Sequence, residues 1–364
     1  MLLRRLSFLS AACLWASLAW GAAAPQDLIK DLNQETGQKQ IEAAIRLADF
    51  NAPEVVAALA DRLSDPRTDV TVRAACATSL GKLHDPSALA LLRSLAVKQD
   101  EKTVVRTSSI VAMAMIRQDD VIPDLVEMLK AANPPLVQSA IEAVFAQLRD
   151  KTRVALAVSP LLQNDTAAPS AIRVLGSLGD PAVIAPLSKL LDSPKATVRQ
   201  AVIRALGDLR FPDAVPPLLA FYPKGNDAEK VQILSALANH PHPDAVKLLT
   251  SELQNPKTFA PLRQRSALSL GNLGARSAVK TLVAVMSDPA EQEGLRTTCA
   301  QALGNFTDRD DEAIDGLISV LSDKALADTA AVALSRITHL YLGVSKGKWT
   351  EWHQRWIKER PAAR

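Results

Sequence analysis

Two kinds of apolar run alternate along the chain, each as long as a short helix and each set off by a turn rich in Asp and Pro. The first kind, as in residues 88–95 and 183–191, is dominated by Leu, Ile, Val and Ala. The second opens on an apolar residue followed by Arg, carries small residues next and closes on Leu-Gly. Four such segments align without gaps: Val72-Arg73 to Leu80-Gly81, Val198-Arg199 to Leu206-Gly207, Leu262-Arg263 to Leu270-Gly271, and Leu295-Arg296 to Leu303-Gly304. Asp85-Pro86 and Asp180-Pro181 precede runs of the first kind, with Ala52-Pro53, Phe211-Pro212 and His242-Pro243 in the same register. Asp65-Pro66, Asn133-Pro134, Ser193-Pro194, Asn255-Pro256 and Asp288-Pro289 precede runs of the second kind. An Asp accepts from the free amides that open a helix, and Pro fits its first position, so both runs read as helices. Small residues in the second helix let neighbouring helices approach closely.

The closing small residue serves as a phase mark. It recurs at Ala48, Gly81, Ala114, Ala146, Gly176, Gly207, Ala238, Gly271, Gly304 and Ser335, at spacings of 30 to 33 residues. A period held that closely predicts about ten two-helix repeats over residues 26–340, each burying its apolar stripes only against its neighbours. The expected fold is all-α, an α-solenoid. Composition agrees: 59 Ala and 51 Leu with 4% aromatic residues suit many closely packed helices better than strands.

The two ends depart from the period. Residues 1–24 carry Arg4 and Arg5, an apolar stretch from Leu6 to Trp20, and the small residues Gly21 to Ala24. These are the parts of a secretory signal, expected to span residues 1–23 and too short for a comfortable membrane span. An uncleaved anchor and a lipoprotein acylated at Cys13 are alternatives. At the other end, Trp349, Trp352 and Trp356 stand at i, i+3 and i+7, one face of a helix over residues 346–360.

The Asp-Pro turns, the Val72-Arg73 type pairs and the Leu206-Gly207 type endings resemble HEAT repeats, in the short bacterial form also seen in phycobilisome-lyase-type repeats. The resemblance implies a curved superhelix with the second helices on its concave face. Gln138, Ala168 and Ala327 replace the motif arginine without breaking the period. Cys76 and Cys299 share one motif position seven repeats apart, which puts a disulfide out of reach and makes both small core residues.

The candidate partner-binding residues are the basic row Arg73, Arg106, Arg199, Lys230, Arg263 and Arg296, together with the three tryptophans. The row is either an electropositive stripe for an acidic partner segment or a structural ladder. The resemblance implies the ladder, each Arg pairing with an Asp near the preceding turn, such as Asp69 for Arg73. The tryptophan helix is expected to cap the last repeat, with partner docking or membrane-surface contact as the other reading.

Other chemistry is thin. The acidic turn from Asp308 to Glu312 lacks the glycine and distant glutamate of a calcium loop. His240 and His242 sit where Leu209 and the cap Asp85 stand in other repeats, and read as a substituted turn. No histidine is followed by Glu, so the His-Glu pairs of a HEAT-type di-iron hydroxylase are missing. Gly343 to Gly347 spell Gly-x-Ser-x-Gly, but no predicted strand precedes them to form a nucleophile elbow, and no Walker loop occurs. The formal charge is +3. It falls to about +1 once Arg4 and Arg5 leave, far from the concentrated positive charge that nucleic acid needs. The expectation is a non-enzymatic, exported, periplasmic scaffold without cofactor or metal, binding a protein of the envelope. A chromophore or cofactor lyase and a peripheral membrane module are the alternatives.

Overall fold

The computed structural model describes residues 24–306 and 310–359. The expected signal segment and Cys13 lie outside the described residues, as does Asp308 of the acidic turn. Every element among the described residues is helical.

The chain divides into two compact units, Met1–Val174 and Leu175–Arg364, with the boundary inside a helix. The first unit holds α1 (Pro25–Gln34) and α2 (Gln38–Leu47), α3 (Pro53–Ser64) and α4 (Val70–Leu83), α5 (Leu89–Val97) and α6 (Thr103–Arg117), α7 (Ile122–Lys130) and α8 (Pro135–Gln147), then α9 (Lys151–Val158) and the start of α10 (Ala168–Ser177). The second holds α11 (Ile184–Lys189) and α12 (Ala196–Asp208), α13 (Val215–Phe221) and α14 (Asp227–Leu237), α15 (Pro243–Gln254) and α16 (Ala260–Leu273), α17 (Val279–Ser287) and α18 (Glu293–Leu303), α19 (Asp311–Ser319) and α20 (Ala327–Thr338), and finally α21 (Lys346–Glu359). Odd numbers up to α19 are first helices and even numbers second helices, so the ten periods are ten helix pairs.

The turns work as their residues predict. Asp69 accepts from the Thr71 amide, Asp85 from Ser87, Asp180 from Ala182 and Asp310 from Ala313. His242 substitutes for Asp, its Nδ1 accepting from the Asp244 amide at 3.2 Å. Asn226 and Glu229 form a reciprocal capping box at α14. His240, standing in for a leucine, is buried, and its Nε2 meets the Leu206 carbonyl at 3.1 Å.

The residue before each phase mark is buried in every repeat, from Leu47 and Leu80 to Leu303 and Leu334. The phase mark itself faces the next repeat. A Cβ added to Gly81 would stand 2.8 Å from Ala112 Cα, and one on Gly207 would stand 2.7 Å from Ala236 Cβ. At Gly271 it would meet the Ala302 oxygen at 2.6 Å, and at Gly304 the Ala333 Cβ at 2.8 Å. In each case the alanine lies two residues before the next phase mark. Adjacent second helices therefore touch backbone to backbone, which only glycine against alanine permits. Cys76 and Cys299 are buried and free, and burial pushes both thiols up to about 12, so neither is a reactive thiolate. No helix among the described residues is long and apolar enough to cross a membrane.

Candidate binding surface

The basic row forms a ladder. Arg73 Nε donates to the Leu63 carbonyl, ten residues back in the last turn of α3, at 2.8 Å. Its two terminal nitrogens grip Glu101 at 2.9 and 2.8 Å, in the turn between α5 and α6. Arg263 repeats this arrangement with the Leu253 carbonyl at 2.9 Å and Glu291 at 2.7 and 2.5 Å. Arg296 does so with the Met286 carbonyl at 2.9 Å and Asp323 at 2.6 Å. Arg199 binds Glu229 at 2.8 Å and the Ser193 carbonyl at 2.8 Å. Each rung thus fastens the end of its own first helix, or the turn after it, to an acid of the following repeat. The expected partner, Asp69, is occupied as the cap of α4. The acid that meets Arg73 lies one repeat onward, because the side chain of the second helix points across the joint rather than back along its own turn. The paired guanidiniums hold Glu101 and Asp323 below the usual carboxylate range.

Two members of the row differ. Arg106 is as buried as Arg73 but meets only neutral acceptors: the Ala96 carbonyl at 3.0 Å, Asn133 Oδ1 at 2.7 Å and Gln99 Oε1 at 3.4 Å. Burial lowers its pKa, yet a guanidinium stays charged in a protein. Arg106→Met strands no carboxylate. It is expected to cost only about 1–3 kcal/mol, the penalty of unpairing neutral buried groups, as read from the urea midpoint. Lys230 makes no ladder contact and sits over the Tyr222 ring at 5.8 Å. Where Gln138 interrupts the row, other groups fasten the joint. Gln138 donates to Ser170, and Arg173 grips Glu142 at 2.7 and 3.0 Å.

The tryptophans are held rather than displayed. Trp349 is fully buried and its Nε1 donates to the Gly343 carbonyl at 2.8 Å. Trp352 meets it edge-on at 5.8 Å and stacks on Trp356 at 6.2 Å. Between them His353 is buried, its Nδ1 2.8 Å from Asp315 and its Nε2 3.3 Å from Asp311. Two acids of α19 thereby anchor α21. Asp310 is a helix cap and Asp311 an anchor, and no cluster among the described residues is arranged to hold a metal ion.

With Arg73, Arg106 and Arg263 buried and Arg199 and Arg296 half-buried in the joints, the more open surface lies elsewhere on the second helices. In the Leu175–Arg364 unit a groove of about 470 Å³ runs along α18 and α20, with α16 at its edge. The 55%-exposed Val332 gives it an apolar centre, with Leu268 at the α16 edge; Gln301, Asn305, Asp328 and Arg336 line the rest. Arg336 Nη1 donates to Asn305 Oδ1 at 3.3 Å, and Asn305 Nδ2 donates to Asn272 Oδ1 at 3.0 Å. A smaller groove of about 190 Å³ between α12 and α14 is lined by Arg204, Gln232 and Asn239. The Gln232 Oε1 is buried there without a donor.

The HEAT-repeat family profile matches residues 25–101, 67–146, 162–238 and 246–336. The chain is a HEAT-repeat protein. No curated protein matches it in sequence. Among solved structures it is similar to Kap95p, whose binding induces the switch loops of RanGDP to adopt the GTP-bound conformation. That likeness has a TM-score of 0.60 at 11% identity, over 95% of this chain and 56% of that one. It is also similar to Kap121p bound to Nup53p, with a TM-score of 0.56 at 14% identity, over 93% and 43% of the two chains. A phycocyanin lyase of CpcE and CpcF from Nostoc matches at 17% identity over 88% and 96%, with a TM-score of 0.28. The HEAT chain thus spans about half the length of the two Kap proteins, and the likeness at these identities is one of fold. Within this HEAT protein, the groove residues and the Arg173–Glu142 pair carried no motif. Leu268, Gln301, Val332 and Arg173 share the position three before the phase mark, which varies freely from repeat to repeat.

Proposed function

We propose that this HEAT-repeat chain is a non-enzymatic exported scaffold that binds a segment of an envelope protein through the second-helix surface of its Leu175–Arg364 unit. The observation that carries this reading is the groove along α18 and α20, an apolar centre rimmed by hydrogen-bonding and charged groups. Its volume falls in the range of sites that enclose a ligand segment. The pairing of Arg73, Arg199, Arg263 and Arg296 with acids in the joints supports reading the groove, rather than the row, as the recognition surface. The signal-like residues 1–23 support export. Kap121p, a similar fold, is itself bound to a protein, Nup53p. A rigid, preformed surface lowers the ordering cost of binding.

The test is to express the tagged full-length precursor in its own organism, crosslink lightly and identify what co-purifies from the envelope fraction. A dominant, saturable protein, reduced at least tenfold by Val332→Arg, is the expected result. A bound pigment, metal or lipid with no enriched protein would overturn the reading.

A further inference from the structure

We infer that the groove along α18 and α20 takes an extended peptide segment of about four residues, with an aliphatic side chain at its centre, a basic one at one end and an acidic one at the other. This rests on the proposed binding function and names its partner chemistry. Asp328 and Arg336 are both exposed and stand at opposite ends of the groove wall formed by α20. Eight residues of helix place them about 12 Å apart, the length of about four residues of extended chain. Asp328 meets no cation within salt-bridge distance among the described residues. Among the described residues Arg336 meets only the neutral Asn305 at 3.3 Å, leaving further N–H groups to donate outward. An acid and a base at opposite ends of one groove complement a segment that carries the opposite charges.

The centre and the far wall narrow the choice further. Val332, with Leu268 at the α16 edge, offers an apolar patch between the charges, a seat for one aliphatic side chain. Gln301 on α18 and Asn305, two residues past its end, line the opposite wall. An amide side chain both donates and accepts, which suits the alternating N–H and C=O of an extended main chain.

The experiment displays a random twelve-residue peptide library on phage against the immobilised full chain. Enrichment of sequences with a basic and an acidic residue three or four apart, flanking Leu, Ile or Val, is expected. Asp328→Lys should exchange the basic position for an acidic one, Arg336→Glu should exchange the acidic for a basic one, and Val332→Asp should lower recovery at least tenfold. These side chains are exposed, and unchanged melting curves confirm that the variants fold. An enriched motif indifferent to all three substitutions, or no enriched peptide, overturns the inference. The crosslinking experiment reads the binding function separately, since an envelope protein lost with Val332→Arg but insensitive to the two charge reversals leaves that function standing without this peptide chemistry.

Discussion

Arg73→Met is expected to destabilise the Met1–Val174 unit by about 3–5 kcal/mol, the cost of breaking a buried ion pair from one side. Both side chains are almost fully enclosed, 5% and 7% exposed. Removing the guanidinium leaves the Glu101 carboxylate charged in a closed joint and the Leu63 carbonyl without its donor. Arg73→Met with Glu101→Leu should recover most of the loss, because no unpaired charge is then left behind. The readout is the urea midpoint, with hydrogen exchange in α4 and α6 locating the opening. A loss in the double variant equal to the sum of the losses in Arg73→Met and Glu101→Leu alone would show that the pair is not coupled. The pH dependence has a defined sign. Arg73 holds Glu101 below its ordinary pKa, so the rung stabilises fully above the unfolded value of about 4.3 and fades as pH falls through the lower folded value. The gap between wild type and Arg73→Met should therefore narrow in acid.

Gly271→Ala is expected to cost about 1–3 kcal/mol, as overpacking does, although alanine is the better helix former. The added methyl would lie 2.6 Å from the Ala302 oxygen and 2.7 Å from its Cα, backbone atoms that cannot swing aside. Gly347→Ala in α21 is the internal control. Nothing lies within 4 Å of a Cβ there, and the gain should be about 0.5–1 kcal/mol from the lower entropy of the unfolded chain. Thermal melts of the two variants should move in opposite directions. A shift of the same sign in both would show that the helices separate easily at this joint.

Much of the fold was legible because its signals are local. The phase marks, the Asp caps and the Pro starts each lie within a few residues of the helix they shape, and ten periods gave ten helix pairs. The α21 helix was legible for the same reason: three tryptophans at helical spacing declare a face. The ladder was legible only in half. Its arginines repeat in a fixed motif, whereas their acids lie 27 to 30 residues onward, Glu101, Glu291 and Asp323 in turns and Glu229 in the first turn of α14. One rung has no acid at all, and Asn133 gives no sign in sequence of meeting Arg106. The groove was not legible. Leu268, Gln301 and Val332 occupy one register position with two chemistries, aliphatic and amide, and nothing short of packed helices shows that they share a surface.

The placement of each rung across a joint bears on how such a chain changes length over generations. The two halves of a rung belong to different repeats: the arginine faces forward and the acid faces back. A duplication or loss of one whole period brings a forward arginine against a backward acid again. Removing residues 272–304 would bring the repeat of Arg263 next to the one that carries Asp323, with complementary charge restored at the seam. An insertion of half a period would instead set like faces together and strand both charges. The joints act as a selective filter on copy number, admitting whole repeats and rejecting fragments, while the outward positions of each new copy are free to acquire a different partner.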